Sequence, residues 1–178
     1  MTVFQQIRSM GRVLPAGRRN RYDLLAWLRH RPQILIATAA YEMALWGSAR
    51  LDPRLKQLAE LKAAALVACE FCLDIGSALA MTAGITERQL RDLPNYADSD
   101  AFRPEEKLVL EFAEAMTSTP AEVPGELRDR MLDRFSPAQV TELAATVAWE
   151  NNRGRLNQAL GVHPAGFSEG AACAIPER

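Results

Sequence analysis

The sequence predicts an all-α protein, on three observations. Alanine and leucine dominate, with 29 Ala and 22 Leu among 178 residues against 8 Val and 6 Ile. Ala and Leu are strong helix formers, whereas β-branched residues are the usual strand material. Helix-start signals also recur along the chain, while no stretch holds a convincing strand alternation and no fixed-period repeat is found.

The elements follow in order. Leu24, Leu25 and Leu28 share one side of a helix over about 22–29. Pro32 opens a second, to about Ser48, through the position that tolerates a missing N–H. It is apolar almost all round, which predicts a place deep in the core. Asp52-Pro53 is an N-cap followed by proline at the first helical position, starting a helix to about Ala68. The next helix runs from about Cys69 to Ala83 and ends at Gly84, expected in the left-handed region. Thr86 with Gln89 is a capping-box pattern for a short helix to about Leu93, and 95–101 is a polar loop. Pro104, Glu105 and Glu106 open another helix carrying Leu108, Leu110, Phe112, Ala113 and Met116. A connection over 117–123 leads to a short helix over 125–135. Ser136-Pro137 then caps a long helix to about Leu160, closed by Gly161. The tail from Val162 is rich in Gly, Ala and Pro and is expected on the surface.

Composition narrows the class. With 48% hydrophobic and 24% charged residues, the chain is neither mainly disordered, nor collagen-like, nor a disulfide-dense mini-protein. Its length supports one domain with a self-sufficient core, residues 21–178, preceded by a basic arm over 1–20. Residues 1–31 hold seven Arg against Asp23, a net +6; the overall −1 leaves −7 for the rest. No run of five like charges occurs in this stretch, so it is expected to fold over acidic surface or a neighbouring subunit. Neither nucleic acid nor membrane is expected as a partner. No segment has the length to span a bilayer, and the N-terminus lacks a signal-peptide layout. A cytoplasmic protein is expected, in which Cys69, Cys72 and Cys173 form no structural disulfide framework.

The strongest chemical signal is Cys69-Glu70-Phe71-Cys72. Cysteines three apart at a helix start can form a disulfide or share a metal. The helix N-terminus stabilises negative charge, which favours the thiolate, the species that attacks peroxides and disulfides. Two competing readings are a pair that merely packs and a zinc site of Cys69, Cys72, His163 and Cys173. The second pair lacks finger-like spacing and lies in the tail, so neither metal nor cofactor is expected. His163 and His30 read as surface residues.

Asp52-Pro53-Arg54-Leu55-Lys56-Gln57-Leu58-Ala59-Glu60-Leu61-Lys62, then Ala68-Cys69-Glu70-Phe71-Cys72, then Ala83-Gly84-Ile85 resemble the carboxymuconolactone decarboxylase superfamily, most closely its AhpD-like alkylhydroperoxidase branch. The run from Trp149 to Gly161 is similar to the C-terminal helix of longer members. The resemblance implies an AhpD-like helical bundle assembling as a homo-oligomer, often a trimer or hexamer. It also implies a cysteine pair that reduces hydroperoxides or passes electrons between a dithiol donor and a partner. The branch carries a His four residues after the second Cys and a Glu twelve before the first; this chain has Gly76 and Gln57 there.

Two carboxylates are candidates to act in their stead. Glu60 lies one turn from Gln57, and its approach to the thiols needs a chain break near Ala68. Glu150 and Asn151 continue the face of Leu143 and Val147, so a buried Glu150 needs a partner, either Arg153 or Arg155, another subunit, or a proton in catalysis. Glu70 and Asp74 read as solvated helix-start acids. Gly76, Ala80 and Ala83 form a small-residue stripe suited to close packing. The expected function is a thiol-dependent oxidoreductase acting on hydroperoxides or disulfides through Cys69 and Cys72, with Glu60 and Glu150 as further candidates. The alternative is a non-catalytic helical oligomer, ligand-binding or redox-sensing, that kept the scaffold without the relay.

Overall fold

Local capping chemistry decides where the helices begin. In the computed structural model, which describes residues 11–13, 15, 20 and 22–177, the Asp52 side chain accepts from Arg54 N at 2.9 Å. Thr86 with Gln89 and Ser136 with Gln139 form reciprocal capping boxes. The helices are α1 (Asp23–Leu28), α2 (Pro32–Gly47), α3 (Pro53–Leu66), α4 (Glu70–Thr82), α5 (Glu87–Asp92), α6 (Pro104–Thr117), α7 (Gly125–Arg134) and α8 (Pro137–Ala159), with a 3-10 turn at Leu93–Asn95. Gly84 and Gly161 adopt φ of +79° and +63°, the left-handed stops expected of them. No strand occurs among the described residues. The basic arm lies largely outside them.

Helix α3 is the hub, packed by α4, α6 and α8. One side places Leu58, Leu61 and Ala65 against Leu73, Leu90, Leu93 and Leu110. The other sets Leu55, Ala59 and Ala63 against Val109, Phe112, Met131, Leu143 and Val147. Each such fully buried leucine is worth about 1.5–3 kcal/mol over its exposed state. Helix α8 is central, touching α2, α3, α4, α6 and α7, which accounts for a helix apolar on two sides.

Three expectations are overturned, on α2, on the tail and on Asp74. Helix α2 is not in the core: none of its residues is buried, and Ile34, Ile36 and Met43 are 47%, 68% and 57% exposed. An apolar helix demands cover, and among the described residues α2 packs mainly on α1 and α8. The tail is not loose surface. Ala165, Phe167 and Ala174 are buried, and Phe167 meets Phe71 edge to face.

The tail is tied down by Asp74, which is buried rather than solvated. Its carboxylate accepts the backbone N–H groups of Ala165, Gly166, Phe167 and Ser168 and the Ser168 hydroxyl, all at 2.7–3.0 Å. Further along, Ala174 N donates to Ser77 Oγ at 2.9 Å. Lys62, also buried, donates to both Glu177 carboxylate oxygens at 2.8 Å. The 162–177 segment is thus a strap along α3 and α4. Among the described residues no helix is long and apolar enough to cross a membrane.

Candidate active site

The turn between α3 and α4 builds the site. Ala68 takes φ +52°, a left-handed conformation uncommon for a residue with a Cβ. The reversal leaves Cys69 as the N-cap of α4, its Sγ accepting from Cys72 N at 3.2 Å. Cys69 and Cys72 are joined as a disulfide with their Cα atoms 5.3 Å apart. Both are buried, at 2% and 8% exposure. Cys173 is free and is not part of the pair. Its Sγ lies 3.6 Å from Ser77 Oγ. His163 and His30 are exposed. No group of three or more metal-binding side chains comes together among the described residues.

Helix α8 comes down directly on this turn because residue 154 is glycine. A Cβ there would stand 2.5 Å from Val67 Cγ2 and 3.4 Å from Cys69 Cβ. The close approach brings Asn157 to the sulfurs, its Nδ2 3.5 Å from Cys72 Sγ and 3.8 Å from Cys69 Sγ. Glu150, Arg153 and Asn157 follow one another at helical spacing along this side of α8.

Arg153 organises the carboxylates. It donates to Glu42 Oε1 at 2.9 Å and Glu60 Oε1 at 3.0 Å, and pairs with Glu150. Burial pulls the guanidinium towards neutrality, but Glu150, Glu60 and Glu42 outweigh it and keep it charged. Burial pushes Glu60 up to about 7, against the pull of Arg153, with Glu150 and Glu42 adding to the rise. Glu150 is raised for the same leading reason. Of the partners expected for Glu150, Arg153 is the one engaged; Arg155 instead donates to Asn151. Asn151 is only half-buried, donating to Thr117 Oγ1 at 2.9 Å. Glu70 is exposed, as expected.

A pocket of about 350 Å3 joins these parts. Cys72, Glu60, Glu150 and Asn157 line it, with apolar wall from Trp46, Phe71 and other side chains of α1, α2 and α4. Cys72, not Cys69, faces the cavity. Of the candidate residues, the structure therefore brings Cys72, Glu60 and Glu150 together, with Cys69 bonded behind. Gly76 also lines the cavity, so the absent histidine leaves room as well as allowing Leu61 to approach. Sequence reasoning missed Glu42 and Asn157. Glu42 is the single charge in the apolar run of α2, which is a signal. Asn157 is seven residues after Glu150, two turns along the same face.

The model of the carboxymuconolactone decarboxylase family matches residues 32–115. The uncharacterized protein YnjA of Escherichia coli (strain K12) is 34% identical over 128 residues, which is 72% of this chain and 68% of that protein. Helix content, cysteine turn and these matches agree: the chain belongs to the carboxymuconolactone decarboxylase family. Two solved structures share the fold. A cysteine-to-alanine variant of the debrominase Bmp8 in complex with 2,3,4-tribromopyrrole has a TM-score of 0.76 at 18% identity, covering 90% of this chain and 83% of that one. An Agrobacterium tumefaciens protein of unknown function, suggested to be the antioxidant defence protein AhpD, has a TM-score of 0.73 at 20% identity over 78% and 95%.

Proposed function

We propose that the protein is a thiol-dependent oxidoreductase in which Cys69 and Cys72 cycle between dithiol and disulfide to reduce a small hydroperoxide. The observation that carries this is a vicinal pair whose outer sulfur, Cys72, faces a pocket shared with Glu60. The Cys72 thiolate attacks the terminal peroxide oxygen and the O–O bond breaks. Glu60, neutral as a carboxylic acid, gives its proton to the departing alkoxide, which leaves as an alcohol, and regains a proton from solvent, to which Cys72 has lost its own. Cys72 is now a sulfenic acid. Cys69 attacks its sulfur, the S–S bond forms, and hydroxide leaves with the Cys69 proton as water. A dithiol donor then reduces the disulfide by two exchange steps and is itself oxidised. Such a cycle suits the reducing cytoplasm. A homo-oligomer fits the same reading, with the uncovered face of α2 as its interface.

Intact-mass analysis with alkylation, before and after stoichiometric hydroperoxide, tests the proposal. The expected result is loss of two hydrogens, mapped to Cys69–Cys72 and reversed by dithiothreitol, and absent in Cys72→Ser. Unreactive thiols would overturn it and leave the ligand-binding reading, which the largely apolar pocket also supports. A halogenated aromatic, the ligand class seen in the Bmp8 complex, belongs in the same assay because the pair supplies two electrons to either substrate.

A further inference from the structure

Asn157 contacts both sulfurs, yet half of its amide is idle. The residue is 3% exposed. Its Nδ2 points at Cys72 Sγ and Cys69 Sγ, at 3.5 and 3.8 Å. Disulfide sulfurs only accept, so the amide must present its N–H groups to them. Its Oδ1 is then buried with no hydrogen-bond partner among the described residues. An unpaired buried carbonyl is costly, and a leucine of similar shape would avoid the cost. The oxidised state therefore does not explain the amide.

The reduced state does. Once the disulfide opens, Cys72 bears negative charge, and a hydrogen bond to a charged acceptor is stronger than one to a neutral sulfur. A thiol S–H or a bound hydroperoxide O–H supplies the donor that Oδ1 lacks. Among the described residues, two cations line the same pocket and both are committed elsewhere, Lys56 to Glu142 and the Ser48 carbonyl. Arg153 is held by Glu42, Glu60 and Glu150, and Glu70 and Asp74 on α4 are acids. The α4 N-terminus assists.

We propose that Asn157 is a catalytic residue of the thiol pair, its Nδ2–H stabilising the Cys72 thiolate and so favouring the reduced state. The inference rests on the reading that the pair cycles between dithiol and disulfide. When a dithiol reduces the pair, the Cys69–Cys72 bond breaks and the pair takes up two electrons. One proton goes to Cys69 and the charge stays on Cys72. The donor becomes a disulfide and releases its other proton to solvent.

The test compares full-length protein with Asn157→Ala and Asn157→Leu, all carrying Cys173→Ser. Thiolate absorbance is titrated against pH after reduction, and the equilibrium with dithiothreitol is read by mass. Both variants should raise the thiol pKa by about one unit, a tenfold loss of thiolate at neutral pH. Both should shift the dithiothreitol equilibrium about tenfold towards the protein disulfide. Asn157→Leu fills the site and guards against an unfolded alanine variant. Unchanged pKa and equilibrium in a folded variant would overturn the assignment. A wild-type pair that exchanges with dithiothreitol but never consumes hydroperoxide would instead sink the proposed activity and leave Asn157 in place.

Discussion

The Gln57 side chain on α3 reaches the backbone of Gly76 on α4, its Nε2 donating to the carbonyl oxygen at 3.5 Å. These are the two positions at which the AhpD-like pattern carries Glu and His. They remain neighbours here, although neither side chain can move a proton. A Cβ at 76 would meet Leu61 Cδ2 at 3.1 Å and Gln57 Nε2 at 3.8 Å, so a larger side chain needs a small shift of Leu61 and then enters the pocket.

Restoring both groups should therefore restore a relay. The double variant Gln57→Glu with Gly76→His is expected to speed hydroperoxide oxidation of the cysteine pair at least tenfold, within the range of general acid–base assistance. Gly76→Ala, which changes space but adds no proton carrier, should leave the rate unchanged. Stopped-flow oxidation with one equivalent of cumene hydroperoxide reads both. Equal rates for wild type and the double variant would show that Glu60 already serves the site.

Glu60 sets the pH dependence. Its folded pKa of about 7 lies above its unfolded value, about 4.3. Proton donation from Glu60 is then complete at low pH and fades as pH rises through 7. Glu60→Gln should remove that limb of the rate profile and slow peroxide reduction roughly a hundredfold. Stability follows the same sign. The contribution of the neutral carboxyl is present below pH 4.3 and lost as pH rises through 7, so Glu60→Gln should gain in Tm relative to wild type between pH 5 and 8. A rate profile unchanged by the substitution would remove Glu60 from the mechanism.

The helix boundaries were legible because caps are local chemistry. Asp52-Pro53, Thr86 with Gln89 and Ser136-Pro137 carry their own partners within three residues. The cysteine turn was legible for the same reason, as was the break near Ala68. What the sequence hid depends on distance. Asp74 reads as a first-turn acid, but the amides that bury it lie more than ninety residues away. Asn157 gains its meaning only because Gly154 lets α8 settle on Val67 and Cys69. The apolar surface of α2 said that the helix needs cover, not that the other described helices leave it exposed.

Asp74 locks the strap. Burial alone would push its carboxyl up, but the amides and hydroxyl from 165–168 outweigh burial and hold it below the usual carboxylate range. A depressed pKa contributes stability above the unfolded value of about 3.9 that is lost as pH falls through the folded one. Asp74→Ala strands four N–H groups, three of them buried, and should cost about 3 kcal/mol at neutral pH. It should also flatten the loss of Tm as pH falls below about 3.9. Amide hydrogen exchange at 165–168 checks the location: it should accelerate in the variant while exchange in α6 and α7 stays slower. Unaltered protection at 165–168 would show that the strap is held by Phe167 and Ala174 packing instead.

The exposed face of α2 should drive self-association. Ile36 and Met43, seven residues apart, share one exposed apolar face, Ile34 is exposed on another side, and Glu42, the helix's single charge, is turned away to Arg153. A face without charge offers nothing to repel an identical helix, and a second copy would supply the cover that the described residues do not. Contiguous apolar surface of this kind marks an interaction site rather than ordinary exposed residues. Light scattering after size exclusion should give a mass at a multiple of 19.7 kDa. Ile36→Glu with Met43→Glu should reduce it towards one chain, since burying paired like charges opposes association. The Cys69–Cys72 disulfide should still form in the dissociated protein, because α3, α4 and α8 build the site within one chain. A monomeric wild type at micromolar concentration would assign the face to another occupant.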